Sequence, residues 1–202
     1  MKNSGLTKNR AETKVIGVIG AGHNTGVTHT SVMLSVFLGA VAGMRTALAE
    51  YNDSCCLRQA GIILKNNFRS KYAMIKKTVS IYGSGECDIA DIISAGYDYV
   101  VIDFGNDWKK ASSQFLMCST RMVVGSTTWW KMQEFVGFLA ETEGERSRKN
   151  WTFLSAFSIR EGIRYLKKEF GISVRTIPFL ADPMCLDEKS LEFFHELSSG
   201  LF

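Results

Sequence analysis

The chain has 202 residues, of which 46% are apolar and 22% charged, with a formal net charge of +4. That length suits one domain with one substantial core, and the composition excludes a disordered, low-complexity or collagen-like chain. Basic residues fall in short clusters such as Lys76-Lys77, Arg146 to Lys149 and Lys167-Lys168, with acids around them. A solvated surface accounts for these better than a nucleic-acid or anionic-lipid patch.

Residues 1–12 are polar and read as a loose tail, leaving 13–202 as the folded domain. The short apolar stretch behind the N-terminal lysines is broken by Gly17, Gly20 and Gly22, which argues against a signal peptide. Val15 to Ile19 is a β-branched run ending in glycines and predicts a buried strand. A helix is expected over 28–43 with Gly43 as its stop, then a second strand over Thr46–Glu50. Thr25–Met44 carries no formal charge and is long enough to span a bilayer. Its first half is polar through Thr28, His29, Thr30, Ser31 and Ser35, so a helix packed on a sheet is expected instead.

The pattern over 51–87 is weak, with one or two strands in Ala73–Tyr82. Ile89–Ala95 reads as a short helix capped by Asp88 or by residues just before it, and Tyr99–Phe104 as the strongest strand of the chain. Helices at 107–118, 129–142, 159–170 and about 187–198 then alternate with strands at 121–125, 151–157 and 174–177. This alternation predicts a doubly wound α/β fold, its mainly parallel sheet covered by helices on both faces. Ligands in such sheets sit outside the carboxyl ends of the strands, which directs attention to 20–28, 50–53, 103–106 and 178–183.

Three further features stand out. Trp129 and Trp130 are adjacent, which places one inward and one outward; ordinary packing of both is the favoured expectation, with a partner contact by the exposed ring as the alternative. Asn66-Asn67 and Phe68 to Lys77 offer a basic, aromatic contact surface. Leu191, Phe193, Phe194, Leu197 and Leu201 make an apolar stripe opposite Glu192 and Glu196, as in a helix docked on the sheet. The five cysteines (Cys55, Cys56, Cys87, Cys118, Cys185) are an odd set with no C-x-x-C pair, which fits reduced thiols in a cytoplasmic protein.

Gly20 to Thr30 joins the first strand to the first helix, where backbone N–H groups and a helix N-terminus can face an anion. Two ligand readings compete. As a dinucleotide fingerprint, Gly20, Gly22 and Gly26 give G-x-G-x-x-x-G, with Glu50 as a ribose acceptor set further away than usual. As a Walker A loop, Ala21 stands at the first glycine, Gly26 is in place, Val27 replaces the lysine and Thr28 keeps the hydroxyl that reaches magnesium.

The loop, the acid Glu50, the strand ending Val-Val-Ile-Asp-Phe-Gly and the late Ile177-Pro178 to Asp182-Pro183 occur in one order. That order, over about residues 14–198, resembles the MinD/ParA ATPases, including the pilus-assembly proteins of the TadZ/CpaE type. The resemblance implies a P-loop NTPase-like fold, with nucleotide held by Gly22, His23, Asn24, Thr25, Gly26, Val27, Thr28 and His29. It puts Thr28 and Asp103 on magnesium, Asp103 and Glu50 near the attacking water, and Pro178 and Asp182 on the base side. MinD proteins end in a basic membrane-targeting helix, whereas the last helix here is acidic.

Both family lysines are absent: Gly22 stands at the signature position and Val27 at the phosphate-binding one. A charged hydrogen bond contributes roughly 1.5–3 kcal/mol, so losing one weakens phosphate binding ~10- to 100-fold. Hydrolysis, which relies on neutralising developing charge, suffers more. The expected protein is therefore a positioning or assembly switch that binds ATP or ADP with magnesium weakly, with little or no ATPase activity. Its partners would be another protein, a second copy of itself or a peripheral membrane assembly rather than nucleic acid. A pseudo-ATPase scaffold and an NAD(P)-binding oxidoreductase are the alternatives.

Overall fold

The computed structural model describes residues 12–64, 73–75 and 77–200. Most of the tail, most of the 66–77 contact surface and Leu201 lie outside these residues.

Eight strands form one sheet: β1 (Lys14–Gly20), β2 (Thr46–Glu50), β3 (Ala73–Ile75), β4 (Val79–Tyr82), β5 (Tyr99–Asp103), β6 (Thr120–Ser126), β7 (Thr152–Phe157) and β8 (Val174–Thr176). Their spatial order is β3-β4-β2-β5-β1-β6-β7-β8. Only the edge pair β3–β4 is antiparallel; every other pairing is parallel. Among the described residues six α-helices link the strands, α1 (Val27–Val36), α2 (Cys56–Leu64), α3 (Ile89–Ser94), α4 (Trp108–Met117), α5 (Met132–Glu141) and α6 (Arg160–Phe170), and a seventh, α7 (Glu188–Ser199), follows β8. The doubly wound, mainly parallel α/β sheet expected from the alternation is what forms.

Strand residues divide between two cores with a period of two, because successive Cβ atoms leave a strand on opposite faces. Ile16, Val18, Leu48, Tyr99, Val101, Met122 and Val124 pack under α1, α2 and α7. Ile19, Ala47, Ala49, Val100, Ile102 and Val123 pack under α3 to α6, where Trp108, Phe115, Phe135 and Trp151 supply the bulk. Glu50 and Asp103 continue the first set, so both acids emerge on the α1/α2 face. The register pairs them directly, Glu50 with Asp103 across β2–β5, and pairs Asp103 with Val18 across β5–β1.

Helix α1 runs on into a single π-helical turn over Phe37–Val41, and Gly43 follows at φ +70°. The segment is therefore a buried helix on the sheet, as its polar first half predicts. No helix among the described residues is long and apolar enough to cross a membrane. At the far end α7 docks through Phe194 and Leu197, which are 1% and 2% exposed, with Phe194 stacked on Phe37 at 5.6 Å.

Candidate functional site

The glycine loop springs from the end of β1 and is strapped at its root to both neighbouring strands. Gly20 N–H donates to the Gly105 carbonyl at 2.7 Å, and Ala21 N–H to that of Val124 at 2.9 Å. Gly26 lies at φ +92°, a left-handed conformation that glycine adopts without the penalty a Cβ brings. It leads directly into Val27, the first residue of α1, and its carbonyl accepts from both Thr30 N–H and Thr30 Oγ1. Among the described residues the amides of Asn24 to His29 meet no protein acceptor. They border a cavity of about 460 Å³ that also touches Gly105, Asn106 and Ile177 to Leu180.

Asp103, fully buried, stands beside this cradle. Thr28 Oγ1 donates to its Oδ2 at 2.6 Å, while Asn52 Nδ2 and Gly105 N–H donate to its Oδ1 at 3.0 and 2.9 Å. Burial pushes its carboxyl above the usual aspartate range; the hydrogen bonds from Thr28, Gly105 and Asn52 pull the other way, and the nearby charge of Glu50 adds to the rise. The donor chemistry fits magnesium, which binds through one or two carboxylates with phosphates and water rather than in an all-protein cage. Thr28 Oγ1 and Asp103 Oδ2, 2.6 Å apart, are groups that could hold such an ion.

Glu50 is 6% exposed, and its carboxylate is occupied. It accepts from Leu57 N–H at 3.0 Å, Arg58 N–H at 3.2 Å, Ser84 N–H at 3.2 Å and Ser54 Oγ at 3.2 Å. Two of these donors are first-turn amides of α2, which a helix leaves without internal partners. Glu50 therefore caps a helix from the end of the preceding strand.

In sequence, no family profile and no curated protein matches the chain. In structure it superimposes on a putative plasmid partition protein of Borrelia burgdorferi bound to AMPPNP, with a TM-score of 0.64 at 12% identity, covering 95% of this chain and 100% of that one. MinD in the MinC:MinD complex of Aquifex aeolicus matches at 0.66 and 16% identity, over 92% of this chain and 96% of that one. MinD of Pyrococcus horikoshii, complexed with Mg-ADP, matches at 0.61 and 15%, over 93% and 95%. The chain has the MinD/ParA ATPase fold. Nothing in these likenesses narrows it to the TadZ/CpaE branch.

The MinD/ParA fold corrects the dinucleotide reading of the loop. In a dinucleotide-binding sheet the glycine strand lies beside the strand that carries the ribose acceptor. Here β5 is inserted between β1 and β2, so Asp103, not Glu50, flanks the glycine strand. The acid that would hold a ribose is spent on α2 instead.

Gly22 and Val27, where the resemblance expects lysines, are both taken up by packing within the chain. A Cβ added at Gly22 would collide with the Glu134 carboxylate. Glu134, from α5, accepts His23 N–H at 2.8 Å and pairs with Lys131 at 2.7 Å, and Lys131 Nζ also donates to the His23 carbonyl at 3.1 Å. The charged pair thus clamps the loop at Gly22 and His23, and the Lys131 partner and the His23 amide hold Glu134 below the usual carboxylate range. Val27 is 8% exposed and belongs to the core beneath α1.

The other expected residues are spread around the rim. Thr25 is buried with Oγ1 on the Gly22 carbonyl at 3.3 Å, and His29 is half-buried against the cavity. His23 is exposed, its Nδ1 3.0 Å from Asn106 Nδ2, and it borders a second, larger cavity of about 1040 Å³ between the ends of β2, β4 and β5. Pro178 lines the first cavity, but Asp182 does not; its Oδ1 accepts Met184 N–H in a turn further on. Trp129 and Trp130 neither pack into the core nor split inward and outward. They lie in a turn before α5 and are 57% and 80% exposed, since strand alternation no longer applies there. Sequence reasoning missed Asn52, Glu134 and Lys131. Asn52 lies within the flagged 50–53 stretch, but neither Glu134 nor Lys131 carries a local signal.

Proposed function

We propose that the protein is a MinD/ParA-like nucleotide-responsive switch that binds ATP or ADP with magnesium weakly and hydrolyses ATP little or not at all. The observation that carries this reading is the row of amides from Asn24 to His29, open to a cavity with the Thr28 hydroxyl on Asp103 beside it. The amides would hold the phosphates, and Thr28 and Asp103 the magnesium ion, which when bound supplies positive charge that no lysine of the loop provides. With neither lysine present, charge neutralisation at the transferring phosphoryl group is deficient, and hydrolysis is the step that suffers. The protein's work would then be positioning or assembly, carried out through a protein partner, a second copy or a peripheral membrane assembly in the cytoplasm. The exposed Trp129-Trp130 pair is suited to such a contact.

A thermal-shift panel tests this. Magnesium with ATP or ADP should raise the melting temperature where NAD does not, and Thr28→Ala should remove the magnesium-dependent part of the rise. A second reading, a pseudo-ATPase scaffold that needs no nucleotide, is favoured by the fate of the two lysine positions, one facing Glu134 and one folded into the core. Flat melting curves with every nucleotide would overturn the first reading and leave the second.

A further inference from the structure

The cavity beside the loop has two ends, set by strand order. Gly105 and Asn106 follow β5 on one side of β1, and Ile177 to Leu180 follow β8 on the other. Thr28 and Asp103 meet at the β5 end. A magnesium ion held by them would bridge the outermost phosphates of a nucleotide, so the phosphate chain would finish at that end. His23 stands there too, its Nδ1 3.0 Å from Asn106 Nδ2.

Charge at the β5 end is set against a long phosphate chain. The His23 N–H is next in the row after the open amides of Asn24 to His29, and it already donates to the Glu134 carboxylate at 2.8 Å. A carboxylate on a backbone amide makes the same charge-assisted bond that a phosphate oxygen would. Lys131 and Glu134, three residues apart at the start of α5, pair at 2.7 Å with side chains 30% and 36% exposed. No lysine or arginine lines the cavity among the described residues. A further phosphate would therefore meet an occupied amide and a carboxylate, with the Lys131 ammonium already engaged. It must displace Glu134 or stay unbonded beside a like charge.

We propose that Glu134 is a specificity-determining residue whose carboxylate stands in for a terminal phosphate on the His23 amide, so that the site takes a nucleoside diphosphate in preference to a triphosphate. This preference rests on the phosphate-binding reading of the loop. Its physical basis is the repulsion and the missing partner that the longer ligand encounters, not an added contact to the shorter one.

Calorimetric titration with magnesium-bound ADP, ATP, pyrophosphate and tripolyphosphate tests this on the wild type, Glu134→Gln, Glu134→Ala and Lys131→Ala. The wild type should bind ADP ~5- to 50-fold more tightly than ATP, and pyrophosphate over tripolyphosphate by a similar factor, because the base plays no part. Glu134→Gln keeps an acceptor oxygen for His23 without the charge and should narrow the ADP:ATP ratio to about threefold or less. Glu134→Ala frees the amide and should turn the preference towards ATP. Lys131→Ala leaves the carboxylate without its partner and should widen the ratio. A clamp that merely braced the loop would respond alike to losing either residue. The part-exposed pair adds little to stability, so melting temperatures without nucleotide should stay near that of the wild type. ATP binding the wild type as tightly as ADP, a ratio unmoved by Glu134→Gln, or a shift in one direction for both alanine variants would each overturn the role of Glu134 and leave the loop reading intact. If no probe bound the wild type or any variant, the phosphate-binding reading would fall and the preference with it.

Discussion

Asp103 is the residue on which the site turns, and its surroundings make a specific demand. Its two oxygens are treated differently: Oδ1 accepts from Asn52 and Gly105, and Oδ2 from Thr28 alone. An asparagine can therefore keep its oxygen at the first position and donate from its nitrogen to the Thr28 hydroxyl, with no hydrogen bond lost. Because burial raises the carboxyl above the ordinary aspartate value of 3.8, the folded chain holds this proton to higher pH than the unfolded chain does. Stability from this group is then greatest at low pH and is withdrawn as pH rises from about 3.8 through the raised value. Asp103→Asn should flatten that part of the stability–pH profile and leave the protein at least as stable as the wild type at pH 8, while abolishing any magnesium-dependent shift. Urea midpoints across the acid range would check it, and a variant that is less stable at pH 8 would refute the account.

At the scale of an element, α2 shows how a helix can be invisible locally. Its first-turn amides are capped by Glu50, a residue on the strand before it, so the stretch carries no capping box of its own. The same arrangement gives Glu50 a structural task independent of nucleotide. Glu50→Ala should cost ~1–3 kcal/mol of stability through the lost cap and the buried amides left without an acceptor. Glu50→Gln, which keeps an acceptor oxygen, should recover part of that loss in denaturant unfolding without nucleotide. An alanine variant as stable as the wild type would show that the carboxylate is not needed as a cap.

Over the whole molecule, the strand order is what assembles the site. Inserting β5 between β1 and β2 brings the loop, Asp103 and Asn52 to one edge of the sheet, and the β7 and β8 ends close its other side. The same face is sealed by α7, whose Phe194 stacks on Phe37 beyond the end of α1. Phe194→Ala should therefore lower unfolding free energy by ~3–5 kcal/mol, the cost of emptying a buried aromatic site. Trp130→Ala, at a ring 80% exposed, should change it by less than about 0.5 kcal/mol in the same urea titration. Equal effects would mean that α7 does not contribute to the core.

The alternation of apolar runs with helical segments was sufficient to determine the class of fold, the loop at 20–30 and the acid at 103, because backbone periodicity and strand burial are written in consecutive residues. Gly26 before a helix and Thr28 inside it were legible for the same local reason. Only the tertiary structure decided that Glu134 fills the space beside Gly22, that Glu50 caps α2, and that the ends of β7 and β8 line the cavity beside the loop. Those residues are brought together by strand order and register, which depend on how all the apolar faces are buried at once rather than on any one stretch of chain.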